Sequence, residues 1–401
     1  MDTAAAHQPA MRRARATTDI SRARVEQARS GYLPQLTGTA TYLRQTRNTV
    51  PTGASTGFVP PSPSNRSYDA FNFRLSASQL LYDFGQTDGR WRAADATVES
   101  SRQNERTQLI AVQLGVKTAY YAARANKGLV TVAEETLANQ QRRLQQIQAF
   151  VLVGTRPEID VVQARTDFAN NRLTLIQAQN DYENSKATVN QAMGVVGGTD
   201  FDVADDDSGS MPDEDEPLEN LVKKAMGQRP ELLDLSKQRH AQELTVRAEK
   251  GAYGPSISAN ADGSAGGAEL GGLVHNWSVG ATLTWPILSG WKTHGVVHEA
   301  EARLTDIDAQ VQTQQLQIAV DVQKAWLSVK ASKTAIAVAH EALTNAREQL
   351  RLAEGRYNAG TGSVIELGDA QVAATKAGVG VVQADYNLAT ARAQLLAALG
   401  R

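Results

Sequence analysis

A duplication is the feature of this sequence that most constrains its fold. Gly154-Thr155 recurs as Gly360-Thr361, and Gly194 recurs as Gly400, so each pair is 206 residues apart (360 − 154 and 400 − 194). Between these anchors the second copy has neither an insertion nor a deletion. A repeated unit of this length predicts a fold in which similar units are arranged around a common centre.

The offset between the copies is larger at the front of each repeat. Pro34 matches Pro255, which is an offset of 221 (255 − 34). The first repeat therefore holds 15 extra residues (221 − 206), and these fall in Arg44 to Arg66, where Thr, Ser, Asn and Pro predict a loop. The repeats are predicted to span 1–194 and 217–400. The front of the first repeat looks clipped, and an export signal removed from upstream would explain this.

Composition excludes several classes of protein. The formal net charge of −2 argues against a nucleic-acid-binding protein, because phosphate contacts normally need a basic surface. The sequence contains no uninterrupted run of about 18 apolar residues, so it predicts no transmembrane helix. The strands of a membrane barrel give a much weaker signal, so a barrel is not excluded in this way. The chain has no cysteine, so neither disulfides nor thiolate metal sites are available.

Two β-hairpins are predicted, at 35–82 and 256–288, because apolar and polar residues alternate there. In the first hairpin the apolar side includes Phe71, Phe73 and Leu75, opposite small polar residues and Arg74. In the second hairpin it includes Trp277 and Val279. The glycines at 263, 266, 267, 271 and 272 are interpreted as a hairpin loop outside the cell.

Long helices follow both hairpins. Apolar residues recur every seven positions at Val130, Leu137, Leu144 and Val151, and again at Ile336, Leu343, Leu350 and Tyr357, which predicts helices supercoiled on their neighbours. At 1.5 Å per residue each long helix is on the order of 100 Å in length. The predicted order is a long helix 86–152, tip 153–158 and return helix 159–193, then 291–358, 359–363 and 364–399 in the second repeat.

Four strands cannot close a barrel, and an open sheet would expose its edges to lipid. Three copies supply 12 strands, an even number within the range of membrane barrels. The predicted fold class is therefore an α+β membrane protein in which long coiled-coil hairpins and four amphipathic strands per chain close as a homotrimer.

The sequence is similar to the TolC-type outer-membrane efflux proteins over essentially its whole length. The resemblance rests on fragments that occur in the same order in both repeats: Gly31 to Pro34 and Gly254-Pro255 before strands, Leu81 to Gly85 and Pro286 to Gly290 after strands, the tips Val153 to Thr155 and Arg356 to Thr361, and Ile365 to Ala370.

This resemblance implies a passive exit duct for efflux or type I secretion in the Gram-negative outer membrane, extending into the periplasm. Its implied partners are two further copies of the chain, outer-membrane lipid, a periplasmic adaptor (membrane fusion) protein and an inner-membrane pump or exporter, with no nucleic acid and no cofactor. The implied duct is closed at its periplasmic helical tips until the adaptor and the pump open it.

The resemblance also implies roles for individual residues. Asp160 and Tyr357 correspond to a hydrogen-bonded latch between neighbouring helix pairs. The family's latch arginine is replaced by Gly362, and Arg156 could substitute for it. Glu366 and Asp369 correspond to acidic rings at the pore constriction, although acids are also favoured at a helix N-terminus. The implied adaptor contacts are the tip residues Val153, Gly154, Thr155, Gly360 and Thr361.

Other interpretations stay open at this point. A periplasmic adaptor also has a long helical hairpin, and a structural coiled coil would explain the heptads without a channel. No group of catalytic side chains converges in the sequence to indicate an enzyme. His294, His298 and Glu299 have a spacing compatible with a metal but lack a further ligand. The acidic stretch at 195–216 predicts a solvated linker between the repeats.

Overall fold

A computed structural model describes residues 2–46, 67–205 and 214–401. Most of the predicted loop at 44–66, and positions 206–213 of the acidic stretch, lie outside the described residues. Two compact units are present: one comprises 1–18, 100–235 and 310–401, and the other comprises 19–99 and 236–309. None of the helices among the described residues combines the length and the apolar character needed to cross a membrane.

The described elements follow one another in the same order in both repeats: two short helices, two strands and two long helices. The helices and strands are α1 (Asp2–His7), α2 (Pro9–Arg29), β1 (Gln35–Thr46), β2 (Ser67–Tyr82), α3 (Gln86–Leu152), α4 (Glu158–Met193), α5 (Leu218–Gln228), α6 (Pro230–Gly251), β3 (Ser256–Gly267), β4 (Val274–Thr284), α7 (Lys292–Asn358) and α8 (Val364–Ala398).

The four strands form one antiparallel sheet in the order β1-β2-β3-β4. Its register aligns the apolar positions of all four strands, since Leu36 pairs with Ala77, Ala77 with Ala261, and Ala261 with Val279. The adjacent row is polar throughout and consists of Thr37, Ser76, Asp262 and Ser278. One face of the sheet is therefore apolar and the other polar, as the alternation predicts.

None of the described residues covers the apolar face of the sheet. Trp277 is 81% exposed and Leu36 is 68% exposed. The glycine loop predicted before β4 is shorter than the sequence suggests: Gly263, Gly266 and Gly267 belong to β3, and only residues 268–273 connect it to β4. Cross-strand pairing holds glycines in the strand, although they contribute no side chain to it.

Each return helix ends beside the start of a short helix of the same repeat. Gly194 ends α4 in the left-handed region (φ 69°), and Gln8 donates hydrogen bonds to the carbonyl oxygens of Gln191 and Ala192 just before Pro9 begins α2. A Cβ atom at Gly194 would approach the Cα atom of Gln8 to 2.8 Å. Gly400 makes the same close approach to Gln228 and Arg229 before Pro230 begins α6. The two glycines therefore allow the helix ends to meet.

The acidic linker is anchored to the helices at both of its ends. Lys127 of α3 donates to the Asp202 carboxylate at 2.7 Å and to the Val203 carbonyl at 2.8 Å, and the Tyr182 hydroxyl donates to Asp202 at 2.6 Å. The hydrogen bond from Lys127, followed by that from Tyr182, lowers the pKa of the Asp202 carboxyl.

The other end of the linker binds the repeat equivalent of Lys127, which is Lys333 (127 + 206). Lys333 pairs with Glu214 at 2.8 Å, and the Arg392 guanidinium donates to both oxygens of the same carboxylate, at 2.7 and 3.1 Å. The Glu214 side chain is only 1% exposed. The prediction that this stretch is solvated is therefore wrong for Glu214, because two cations from α7 and α8 compensate for its burial.

Candidate functional site

The two helix-to-helix tips share one backbone geometry. At the first tip, Gly154 is left-handed (φ 76°), and the Thr155 amide and hydroxyl both donate to the Phe150 carbonyl, at 3.0 and 2.9 Å. At the second tip, Gly360 (φ 74°) and Thr361 repeat this arrangement on the Arg356 carbonyl, at 3.0 and 3.2 Å. Glycine permits the left-handed turn, and threonine donates both of its hydrogen bonds to one carbonyl in the last turn of the helix. The five predicted tip residues are all exposed at these turns.

The tips differ after the threonine. Pro157 is the N-cap residue of α4 and makes no side-chain cap, whereas the Ser363 hydroxyl caps α8 by accepting from the Glu366 amide at 3.1 Å. At Gly362 a Cβ atom would lie 2.9 Å from the Tyr357 nitrogen and 3.0 Å from the Arg356 carbonyl carbon. Any side chain at 362 would therefore displace the last turn of α7, so an arginine cannot occupy this tip conformation.

Tyr357 lies inside an apolar cluster at the tips and is only 2% exposed. The Arg156 guanidinium carbon stands 4.6 Å from the centre of its ring, a cation–π contact between the first tip and α7. The cluster is formed by Ile147, Val161, Ala164, Ala353, Tyr357, Leu367 and Ala370, with one or more members from each of α3, α4, α7 and α8.

The structure brings Arg156 to Tyr357 but does not join Tyr357 to Asp160. Among the described residues the buried Tyr357 hydroxyl has no hydrogen-bond partner. Asp160 is half-buried in the first turn of α4, at the positive end of the helix dipole. A buried hydroxyl without a partner costs about 1–3 kcal/mol. The Tyr357 hydroxyl is thus a donor for which the described part of the chain supplies no acceptor.

The two predicted constriction acids differ in their surroundings. Arg356 at the end of α7 pairs with Glu366 at 2.7 Å, while Asp369 is exposed and has no ion pair within the described ranges. The two acids are three residues apart and so are neighbours on the surface of α8. Leu367 and Ala370 are buried, so the acids lie beside the core-facing side of the helix and not on it.

Three polar residues that the sequence does not single out hold the start of α8. Arg143 of α3 is 6% exposed and donates to the Gln371 side chain at 2.7 Å and to the Val364 carbonyl at 3.3 Å. Gln140 donates to the same Gln371 oxygen at 3.0 Å. These bonds fix the segment of α8 that carries Glu366 and Asp369. In the sequence, Arg143 adjoins the heptad residue Leu144 within a polar run, so nothing there distinguishes it from an exposed residue.

Comparison with known proteins identifies the family. A protein-family model described as Outer membrane efflux protein matches residues 1–195 and 221–401. The chain is 22% identical over 401 residues to the outer membrane efflux protein BepC of Brucella suis biovar 1 (strain 1330), covering 96% of this chain and 81% of BepC.

Solved structures share the fold. CusC superimposes with a TM-score of 0.84 at 19% identity, covering 99% of this chain and 90% of CusC. The CmeC outer membrane channel of Campylobacter jejuni gives a TM-score of 0.82 at 17% identity, covering 100% of this chain and 84% of CmeC.

These matches decide between the alternatives left open by the sequence. The predicted fold class, long helical hairpins with four amphipathic strands, is confirmed by the elements described above and by the shared fold. The family match runs through both repeats, so the alternatives of a periplasmic adaptor and of a structural coiled coil are wrong. The chain belongs to the outer membrane efflux protein family, and it is a non-enzymatic exit duct of the Gram-negative outer membrane that extends into the periplasm.

Proposed function

We propose that this chain is one subunit of a homotrimeric duct whose helical tips close it and meet a periplasmic adaptor. The sheet supports this proposal because, among residues 2–46, 67–205 and 214–401, β1 and β4 each have a strand partner on one side only. Three copies, with each β4 beside the next β1, give a closed barrel of 12 strands, which removes the free edges. The exposed apolar face then meets lipid.

The observation that carries the proposal is an antiparallel seam between α3 and α8. The Thr136 and Thr375 hydroxyls lie 3.2 Å apart, and the Arg124 guanidinium pairs with Asp385 at 3.2 Å. Between these contacts Val382 reaches the open side of Gly128, where a Cβ atom would meet its methyl groups at 3.2 Å. The first long helix is thus packed against the return helix of the second repeat.

The duplication assigns an equivalent seam to α7 and α4. Buried positions recur with the 206-residue offset, as at Val161 and Leu367 or Ala123 and Val329. No hydrogen bond or ion pair joins α4 to α7 within the part of the chain that the structure describes. A second copy of the chain is therefore the partner that α7 requires.

Exposed apolar side chains lie on the faces of α4 and α7 that would pack together between two copies of the chain. Ile176 of α4 corresponds to Val382 (176 + 206) and is 54% exposed, and Val338 of α7 corresponds to Val132 and is 59% exposed. Burying a large aliphatic side chain is worth about 1.5–3 kcal/mol. Three α7–α4 seams and three internal α3–α8 seams close a ring of twelve helices.

The tips are proposed to meet the adaptor, and through it an inner-membrane pump or exporter. Val153 is 72% exposed, and an exposed apolar residue at a tip suits contact with another protein. Six tips of two kinds would alternate around the mouth. Because the two tips differ in sequence after the threonine, such a ring offers an adaptor three repeated pairs of sites.

The gate is proposed to be held by Tyr357 with Arg156 and Asp160. Arg156 covers the ring of Tyr357, and the Tyr357 hydroxyl donates to Asp160 of an adjoining helix pair once the ring has assembled. Arg143 and Arg356 support the gate by holding the start of α8. Outward movement of α8 at opening has to break these contacts.

Removing the latch should increase leakage through the closed duct. Tyr357→Phe combined with Asp160→Ala removes the hydroxyl and its acceptor while keeping the aromatic ring, so the conductance of the trimer in planar bilayers should rise. Tyr386→Phe makes the same chemical change 29 residues further along the chain and should leave conductance unaltered. An unaltered conductance in the double variant would refute the latch.

The constriction acids should govern ion selectivity. Rings of carboxylates attract cations, so Glu366→Gln with Asp369→Asn should lower the cation preference measured from the reversal potential in a salt gradient. Glu348→Gln is the matched control, because Glu348 is an exposed acid paired with Arg351 of its own helix. The same reversal potential before and after the double substitution would remove these acids from the pore.

A further inference from the structure

An exposed apolar loop connects β4 to α7. This segment, Trp285–Trp291, is referred to as the exit loop. Ile287 is 83% exposed, Leu288 is 90% exposed and Trp291 is 79% exposed. Adjacent large apolar residues in such exposed positions are unusual for a surface that faces water and mark a contact with a membrane or another protein.

The exit loop is continuous with the face of the sheet that meets lipid. β4 ends at Thr284, and its apolar positions Trp277, Val279 and Leu283 are all exposed. Trp285 continues the same two-residue alternation into the loop. The chain is an outer-membrane protein, so the loop lies where the apolar face of β4 gives way to the polar helix α7.

The backbone of the exit loop is strained in a way that keeps a tryptophan outside. Gly290 and Trp291 are both left-handed, with φ of 57° and 62°. A residue other than glycine in a sparsely populated backbone region costs about 1–3 kcal/mol. Among the described residues, Trp291 makes its ring contact with His294, edge-on at 5.6 Å, while most of the indole remains exposed.

The first repeat contains the same turn with the aromatic residue and the glycine exchanged. Phe84 (φ 55°) and Gly85 (φ 82°) correspond to Gly290 and Trp291 by the 206-residue offset. There the aromatic ring of Phe84 packs against Gly254, where a Cβ atom would lie 2.5 Å from the ring. Phe84 is 48% exposed, whereas Trp291 is 79% exposed, so the second exit presents more of its aromatic side chain outward.

A positive charge adjoins the exit loop. Lys292 is exposed and has no ion pair among the described residues, whereas Lys250 pairs with Glu301 at 2.8 Å and Arg303 pairs with Glu299 at 2.7 Å. Indole rings prefer the boundary between hydrocarbon and headgroups, and a neighbouring lysine can reach a phosphate from there.

We infer that the exit loop is an interfacial membrane anchor: Ile287 and Leu288 enter the acyl region of the periplasmic leaflet, Trp291 lies at the headgroup level, and Lys292 pairs with a phospholipid phosphate. Continuity with the lipid-facing sheet favours a bilayer as the occupant over a protein partner. Each chain contributes one such anchor. The anchor depends on the membrane location of the family and is independent of the gate.

Fluorescent labelling tests the anchor in the full chain, which has no cysteine of its own. Leu288→Cys is labelled with an environment-sensitive dye, and the protein is reconstituted in vesicles of phosphatidylethanolamine and phosphatidylglycerol with brominated acyl chains. The dye should lose fluorescence to the brominated lipid and be protected from iodide in the buffer. The same dye on Val196→Cys, which is fully exposed between α4 and α5, should show the opposite pattern.

Three further variants in the labelled chain separate the anchor from general membrane insertion. Trp291→Ser and Lys292→Glu should each reduce quenching by the brominated lipid, while Lys292→Arg should retain it. Flotation of the vesicles checks that every variant is inserted. A dye at position 288 that stays accessible to iodide in floated vesicles would overturn the anchor and assign the loop to a protein partner, with the proposed duct unaffected.

Discussion

Oxidation of a chain carrying Ala169→Cys and Ala342→Cys should convert most of the protein into a covalent trimer on a denaturing gel. These positions are the repeat equivalents of Thr375 and Thr136, whose hydroxyls are 3.2 Å apart within one chain. A disulfide joins residues whose Cα atoms are about 4.4–6.8 Å apart, and the direct contact between the Thr136 and Thr375 side chains makes their repeat equivalents the pair to test. Ala169 and Ala342 are both exposed in the single chain, so a second copy has access to them.

The size of the products also reports how the ring closes. The interface joins two different surfaces, α7 of one copy and α4 of the next, and such contacts form a ring only if the rotation closes. Dimers and trimers without larger species indicate a closed ring of three. A ladder extending beyond three would indicate an open assembly and would refute the homotrimer.

The matched control is Thr136→Cys with Thr375→Cys. Its disulfide forms within one chain, so oxidation should leave the monomer band in place and change only its mobility. Because the parent chain has no cysteine, every new band comes from the introduced pair. Monomer alone from Ala169→Cys with Ala342→Cys, beside an intact internal disulfide in the control, would show that α7 and α4 of different copies do not meet.

The sequence predicts those parts of the fold that depend on local rules. Gly154 and Gly360 predict helix ends because a left-handed residue followed by threonine stops a helix in a defined way. The strand faces follow from alternation, since a sheet has only two sides. The 206-residue offset extends these local inferences to both repeats, and it predicts which helix faces need a partner.

The parts that could not be predicted depend on contacts between distant residues. Arg143 and Gln371 are 228 residues apart, yet they share a buried hydrogen bond. Tyr357 occupies a heptad position, which predicts its burial but not the guanidinium of Arg156 over its ring. Glu214 lies in an acidic run that is typical of solvated linkers, and only the positions of Lys333 and Arg392 determine that it is buried.

Replacing Glu214 should destabilise the fold far more than replacing its neighbour Asp215. The Glu214 side chain is 1% exposed and lies between Lys333 and Arg392. Removing one member of a buried ion pair leaves uncompensated charge in a site of low polarity, which costs about 3–5 kcal/mol. Glu214→Ala should therefore lower the free energy of unfolding by about 3 kcal/mol, measured by loss of helical circular dichroism during denaturation in detergent.

Asp215→Ala provides the control because Asp215 also pairs with Lys333 but differs from Glu214 in being exposed. Asp215 also lies 2.8 Å from Lys333, but its side chain is 86% exposed. Exposed ion pairs contribute about 0–1 kcal/mol because water screens them, so this variant should unfold nearly as the parent does. Equal losses in the two variants would mean that Lys333 alone anchors the linker. A much larger loss for Glu214→Ala would identify its burial between two cations as the contact that fastens the linker to the second repeat.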